Sequence, residues 1–100
     1  MNRLTTPHFI FTLPFDTSRI KCLRVYFQQS GEIVLEKKTE HCEMDGSDIK
    51  LRLTQEETAQ FDCKRYARIQ LHILTVDDEA IVSDVHSVDV GECLGSEVIA

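Results

Sequence analysis

The stretch Tyr66-Ala67-Arg68-Ile69-Gln70-Leu71-His72-Ile73-Leu74-Thr75-Val76 decides the fold class. Ala67, Ile69, Leu71 and Ile73 fall on one side of an extended chain and Arg68, Gln70 and His72 on the other, which is the period of a half-buried strand and not of a helix. A turn at Asp77-Asp78-Glu79 leads into a second run, Ala80 to Val90, so the two read as the longest hairpin and the stable half of the domain.

Outward from this hairpin the same period recurs towards the N-terminus. His8 to Leu13 places Phe9, Phe11 and Leu13 on one face and is closed by Pro14, which cannot donate to a ladder. Ile20 to Gln28 alternates Leu23, Val25 and Phe27 against Arg24, Tyr26 and Gln28, while Ile20 and Cys22 are in the opposite phase, so a bulge is expected near Cys22. After Gln29-Ser30-Gly31-Glu32, the run Ile33 to Lys38 turns polar in its second half, as a strand reaching an exposed edge does. Glu40 to Met44 and Ile49 to Leu53, joined by Asp45-Gly46-Ser47-Asp48, read as a hairpin with Cys42, Met44, Ile49, Leu51 and Leu53 inward. One helical turn is expected near residues 55–61, because Thr54 and Glu57 have capping-box spacing and Phe61 can tuck beneath it.

These seven strands in a chain of 100 residues, with a helical link before the sixth, predict an all-β fold: a seven-stranded antiparallel immunoglobulin-like β-sandwich. The antibody hallmarks are absent, since there is no Trp and no cysteine on the 66–76 strand to face Cys22. The expected organisation is a flexible arm over 1–7, a sandwich over 8–90 and a tail over 91–100 whose Val98-Ile99 pair either docks or frays. With 42% apolar residues and 28% charged, the chain is neither disordered in composition nor apolar enough for a membrane span.

Composition also sorts the chemistry. The net charge of -6 disfavours nucleic acid, and the basic groups Lys37-Lys38 and Lys64, Arg65, Arg68 read as solvated faces. Histidines His8, His41, His72 and His86 and cysteines Cys22, Cys42, Cys63 and Cys93 supply zinc ligand types, but no Cys-x-x-Cys pair exists to make half a tetrahedron. The Asp45–Asp48 and Asp77–Glu79 loops each supply too few oxygens for calcium. Asp62-Cys63 and His41-Cys42 have the residue types of a nucleophilic site, and Lys64 and Arg65 follow Cys63, but without an orienting base Cys63 reads as an ordinary thiol. No catalytic, cofactor-binding or metal-binding residue is therefore assigned. The first residues, Met1 to Pro7, carry no apolar segment of the secretory type, so a cytoplasmic location with reduced thiols is expected.

Three segments carry a resemblance: Phe11-Thr12-Leu13-Pro14-Phe15-Asp16-Thr17-Ser18, Leu53-Thr54-Gln55-Glu56-Glu57-Thr58 through Phe61-Asp62, and Arg68 to Thr75 through Val88-Asp89-Val90-Gly91. In this strand-and-turn phrasing, roughly Pro7 to Leu94, the chain resembles small phage or prophage proteins of Gram-positive gut bacteria that are tail- or virion-associated. It is also similar to the N-terminal immunoglobulin-like domain of baseplate upper proteins. The resemblance brings no catalytic residues. It implies a non-enzymatic structural or assembly protein, made in the bacterial cytoplasm during assembly and then carried in the virion. Its expected partners are other phage structural proteins or a second copy, through sheet edges, arms and loops. The alternative expectation is a soluble adaptor or regulatory protein binding a host or phage protein.

Overall fold

The computed structural model describes residues 1–91, 94, 95, 98 and 99. Its strands are β1 (His8–Thr12), β2 (Ile20–Gln29), β3 (Glu32–Lys38), β4 (Glu43–Asp45), β5 (Asp48–Arg52), β6 (Tyr66–Thr75), β7 (Ala80–Val82) and β8 (His86–Asp89), with one short helix, α1 (Gln55–Thr58). They form two antiparallel sheets, one in the order β1-β5-β4 and the other β3-β2-β6-β7, with β8 also pairing β6. The all-β expectation holds, and α1 carries the chain from one sheet to the other.

Eight strands stand where seven were expected, because the run from Ala80 is interrupted. His72 pairs with Val82 and Ile69 with His86, so Ser83, Asp84 and Val85 oppose only Gln70 and Leu71. Ser83 makes this bulge possible: its N–H donates to the Leu71 carbonyl and its Oγ accepts from the Leu71 N–H, each at 2.9 Å. β7 and β8 thus share one lane along β6. The expected bulge near Cys22 is present as a register shift between Ile20 and Cys22 against β6.

Two other boundaries differ from the sequence reading. The strand expected over Glu40 to Met44 loses its first half to a 3₁₀ turn, Thr39–His41, in which His41 Nδ1 accepts the Lys38 N–H at 3.0 Å and Thr39 Oγ1 accepts the Leu23 N–H at 2.8 Å. Side chains there satisfy backbone donors that a ladder would otherwise have to satisfy. The helix keeps its capping box, with Thr54 Oγ1 accepting from the Glu57 N–H and Glu57 Oε1 from the Thr54 N–H, but ends at Thr58.

The core lies between the sheets. Leu23, Val25 and Phe27 of β2 and Ala67, Ile69, Leu71 and Ile73 of β6 meet Ile49 and Leu51 of β5, with Leu53 and Phe61 beside them. Phe27 is the centre, meeting Phe9 edge-on at 5.8 Å and Phe61 at 5.9 Å between ring centroids, a favoured aromatic geometry. Gln29, buried at the end of β2, accepts from the Asp62 N–H at 2.7 Å and donates to the Asp62 carbonyl at 3.0 Å, fixing the link between α1 and β6.

The N-terminal arm has more contact with the body than the sequence indicates. Met1 packs on the core, Asn2 bridges Gly91 in parallel, and Thr58 exchanges hydrogen bonds with the backbone of Thr5. A Cβ at Gly91 would lie 2.1 Å from Asn2 Oδ1, so a side chain there would have to push the Asn2 side chain aside. In the tail, the Gln55 side-chain amide bonds both the N–H and the carbonyl of Ile99 at 2.9 Å, so this part of the tail docks at α1.

Candidate interaction surface

The residues with potential chemistry are dispersed. Cys22, Cys42 and Cys63 are free thiols, and Cys93 lies outside the described residues. Burial pushes the Cys42 thiol up; Lys37 opposes this and Glu40 adds to it, so Cys42 stays protonated at neutral pH. His8 is on β1, His41 in the 3₁₀ turn, His86 opens β8, and His72 meets the Tyr26 ring edge-on at 4.8 Å. Among the described residues no three His, Cys, Asp or Glu side chains gather as a metal site.

The acidic loops are tied into the fold. Asp77 pairs with Arg19 at 3.6 Å and Asp78 with Lys21 at 3.0 Å; Asp45 is 3.5 Å from Lys50, and Asp48 Oδ1 accepts from Thr12 Oγ1 at 2.8 Å. Among the described residues the one largely buried ion pair, Lys37 with Glu57, joins the β3 edge to α1. Burial raises the Glu57 carboxyl, but hydrogen bonds from Lys37 and Thr54 outweigh it and hold the pKa below the ordinary glutamate range. Lys37, which the sequence places on an exposed run, therefore turns inward.

The basic set Lys64, Arg65 and Arg68 borders an open cleft of about 630 Å³ between the β2–β3 turn and the start of β6. Its arginines are engaged locally: Arg65 donates to Ser30 Oγ at 2.8 Å and sits 3.8 Å from Asp62, and Arg68 reaches Gln28 at 3.4 Å. Asp89 also lines the cleft. Its charge is thus divided among neighbours and does not converge on one point.

The sheet edges differ more sharply. β3 carries Glu32, Glu36, Lys37 and Lys38, and its register shifts against Phe27 and Gln28. The β7/β8 lane is bulged and carries Asp84 and Asp89, while β4 has three residues, two of them acidic. Charge, bulges and shortness are the devices that stop edges from pairing with other chains. β1, His8-Phe9-Ile10-Phe11-Thr12, has none of these: no Asp, Glu, Lys, Arg or Pro and a continuous register with β5.

The bonds Leu53 N–H to Pro7 carbonyl and Leu13 N–H to Ser47 carbonyl frame the β1–β5 ladder. By alternation, Phe9 and Phe11 bond towards β5, and His8, Ile10 and Thr12 aim their N–H and C=O groups at the open side. Ile10 is 62% exposed. Behind it, a seam of about 330 Å³ opens between Phe9, Phe11 and Leu13 on one sheet and Ile69, Leu71 and Val88 on the other. The sequence carries part of this signal, since residues 8–13 form an alternating run without charge, but which strand becomes an edge is decided by topology.

Comparison with protein families, with curated proteins and with solved structures finds no match to this chain. No helix of the described residues is long and apolar enough to cross a membrane.

Proposed function

We propose that the protein is a non-enzymatic phage or prophage structural or assembly protein that works through protein–protein contacts at its sheet edges, arm and loops. The observation that carries the contact reading is the unprotected β1 edge with its apolar seam, in a molecule whose other edges are all blunted. The phage context rests on the resemblance of the strand-and-turn phrasing. The fold reading is an immunoglobulin-like sandwich without its first strand: β1, β5 and β4 take the places of B, E and D, and β3, β2, β6 and β7/β8 those of C′, C, F and G. The parallel bridge of Asn2 to Gly91 supports that alignment, because it lies beside the last lane.

The alternative, a soluble adaptor or regulatory protein, is favoured by the basic cleft, a second surface of distinct charge on an acidic chain. Mass spectrometry of gradient-purified particles from the natural host separates the two. The structural reading expects the chain in particles or assembly intermediates in a fixed ratio to known shell or tail proteins. A chain found wholly in the soluble fraction during particle production would overturn it in favour of the adaptor.

A further inference from the structure

We infer that β1 pairs antiparallel with β1 of a second copy across a two-fold axis at Ile10, making one continuous six-stranded sheet β4-β5-β1-β1-β5-β4. The inference rests on the contact reading above and names the occupant of the edge.

The register follows from which groups face outwards. In a two-fold antiparallel pair centred on Ile10, Ile10 opposes Ile10, His8 opposes Thr12, and Phe9 opposes Phe11. His8, Ile10 and Thr12 are the residues whose backbone groups point to the open side, so the bonded pairs of the new ladder fall on them, and each outward N–H between His8 and Thr12 meets a carbonyl. A centre between two residues would set the bonded positions against groups already used by β5, and a centre at Phe9 or Phe11 would run the pairing past one end of β1, so only Ile10 pairs the whole of His8–Thr12 with itself.

The side chains agree with this register on both faces. On the core face, Phe9 and Phe11 are stacked at 6.2 Å with rings 6° from parallel. Each meets the other type from the second copy in the close, non-bonded pairing, and the two apolar seams come face to face across the axis. On the outer face, Ile10 meets Ile10. The flanking row runs Arg52, His8, then Thr12 and Asp48 of the second copy, because His8 pairs with Arg52 and Thr12 with Asp48 within each chain. Thr12 holds the Asp48 carboxylate through its hydroxyl, so the row runs from cation to anion and, by symmetry, the other row runs the opposite way. A strand with the reverse charge order in these flanking rows would fit this edge less well than the chain itself.

Sedimentation velocity over a concentration series, with circular dichroism melts of each variant, tests the inference. Wild type is expected to form a dimer. Ile10→Lys is expected to keep the wild-type spectrum and weaken dimerisation by about a hundredfold, because both copies bring a lysine to the axis. Ile33→Lys, at an exposed site on the charged β3 edge, is expected to leave the dimer unchanged. Ile10→Cys under mild oxidation is expected to give a covalent dimer whose disulfide joins position 10 to position 10, identified by peptide mass.

A wild type that stays monomeric up to its solubility limit would overturn the inference. So would a dimer that survives Ile10→Lys, dissociates equally with Ile33→Lys, or links through other cysteines. None of those results touches the particle measurement: a monomeric chain found in particles sinks the self-pairing and keeps the structural reading, whereas a β1-paired dimer absent from particles does the reverse.

Discussion

β6 and β1 share one pattern, apolar and polar residues in alternation, and have opposite fates. β6 is ten residues long and flanked on both sides, by β2 and by the β7/β8 lane, so its inward residues from Ala67 to Ile73 are buried. β1 is five residues long and flanked only by β5, so its inward Phe9 and Phe11 remain half-buried. The lesson is that alternation specifies which face turns inward, while neighbours decide how much stability that face yields. One region holds the domain together and the other keeps surface available for contact.

The largest expected effect lies in β6. Leu71→Asp places a charge in the centre of the core with no partner and is expected to abolish the folded state, read as loss of the cooperative melt. An unchanged melting curve would break the assignment of β6 as the spine. Next, Phe27→Ala is expected to cost about 3–5 kcal/mol, against about 1–2 kcal/mol for Phe9→Ala, whose ring is already partly hydrated. Chemical denaturation of both variants at a single low concentration checks the contrast, and equal losses would erase it.

A smaller effect is expected at the link between the β3 edge and α1. Glu57→Gln removes the charge from the pair with Lys37 and is expected to cost about 1–2 kcal/mol at neutral pH. Because the Glu57 pKa is lowered in the fold, its contribution is complete above its ordinary value of 4.5 and is lost as pH falls through the lower folded value. The difference in stability between wild type and Glu57→Gln is therefore expected to shrink on acidification through that window, and a difference independent of pH would refute the assignment. The smallest effect belongs to β1: Ile10→Lys is expected to change the intrinsic stability of the monomer by less than about 0.5 kcal/mol, measured at concentrations where self-association is absent.

Features written into local spacing were legible in the sequence. The phase reversal at Ile20 and Cys22 marks a bulge, Thr54 and Glu57 mark a capping box, and the alternation of β2, β5 and β6 marks their buried faces. What was not legible depends on bonds between distant backbone groups or on one hydroxyl. Ser83 interrupts the last lane through its bonds to Leu71, which a pattern of apolar residues does not encode. The Thr39–His41 turn is stabilised by Leu23 in another strand, and the arm is held by Thr58 and Gly91. The edge position of β1 has the same origin, since an uncharged alternating run has equal claim to an edge or a centre until the sheet order is known.

The bulge at Ser83 has a consequence for how far the protein can build. With the β7/β8 lane kinked, β3 charged and β4 short, β1 is the one straight uncharged rim among the described residues, and the proposed two-fold pairing would consume it on both molecules at once. Growth by that pairing would terminate at a pair, and the serine hydroxyl that interrupts a remote ladder would then serve as a stopper against fibres.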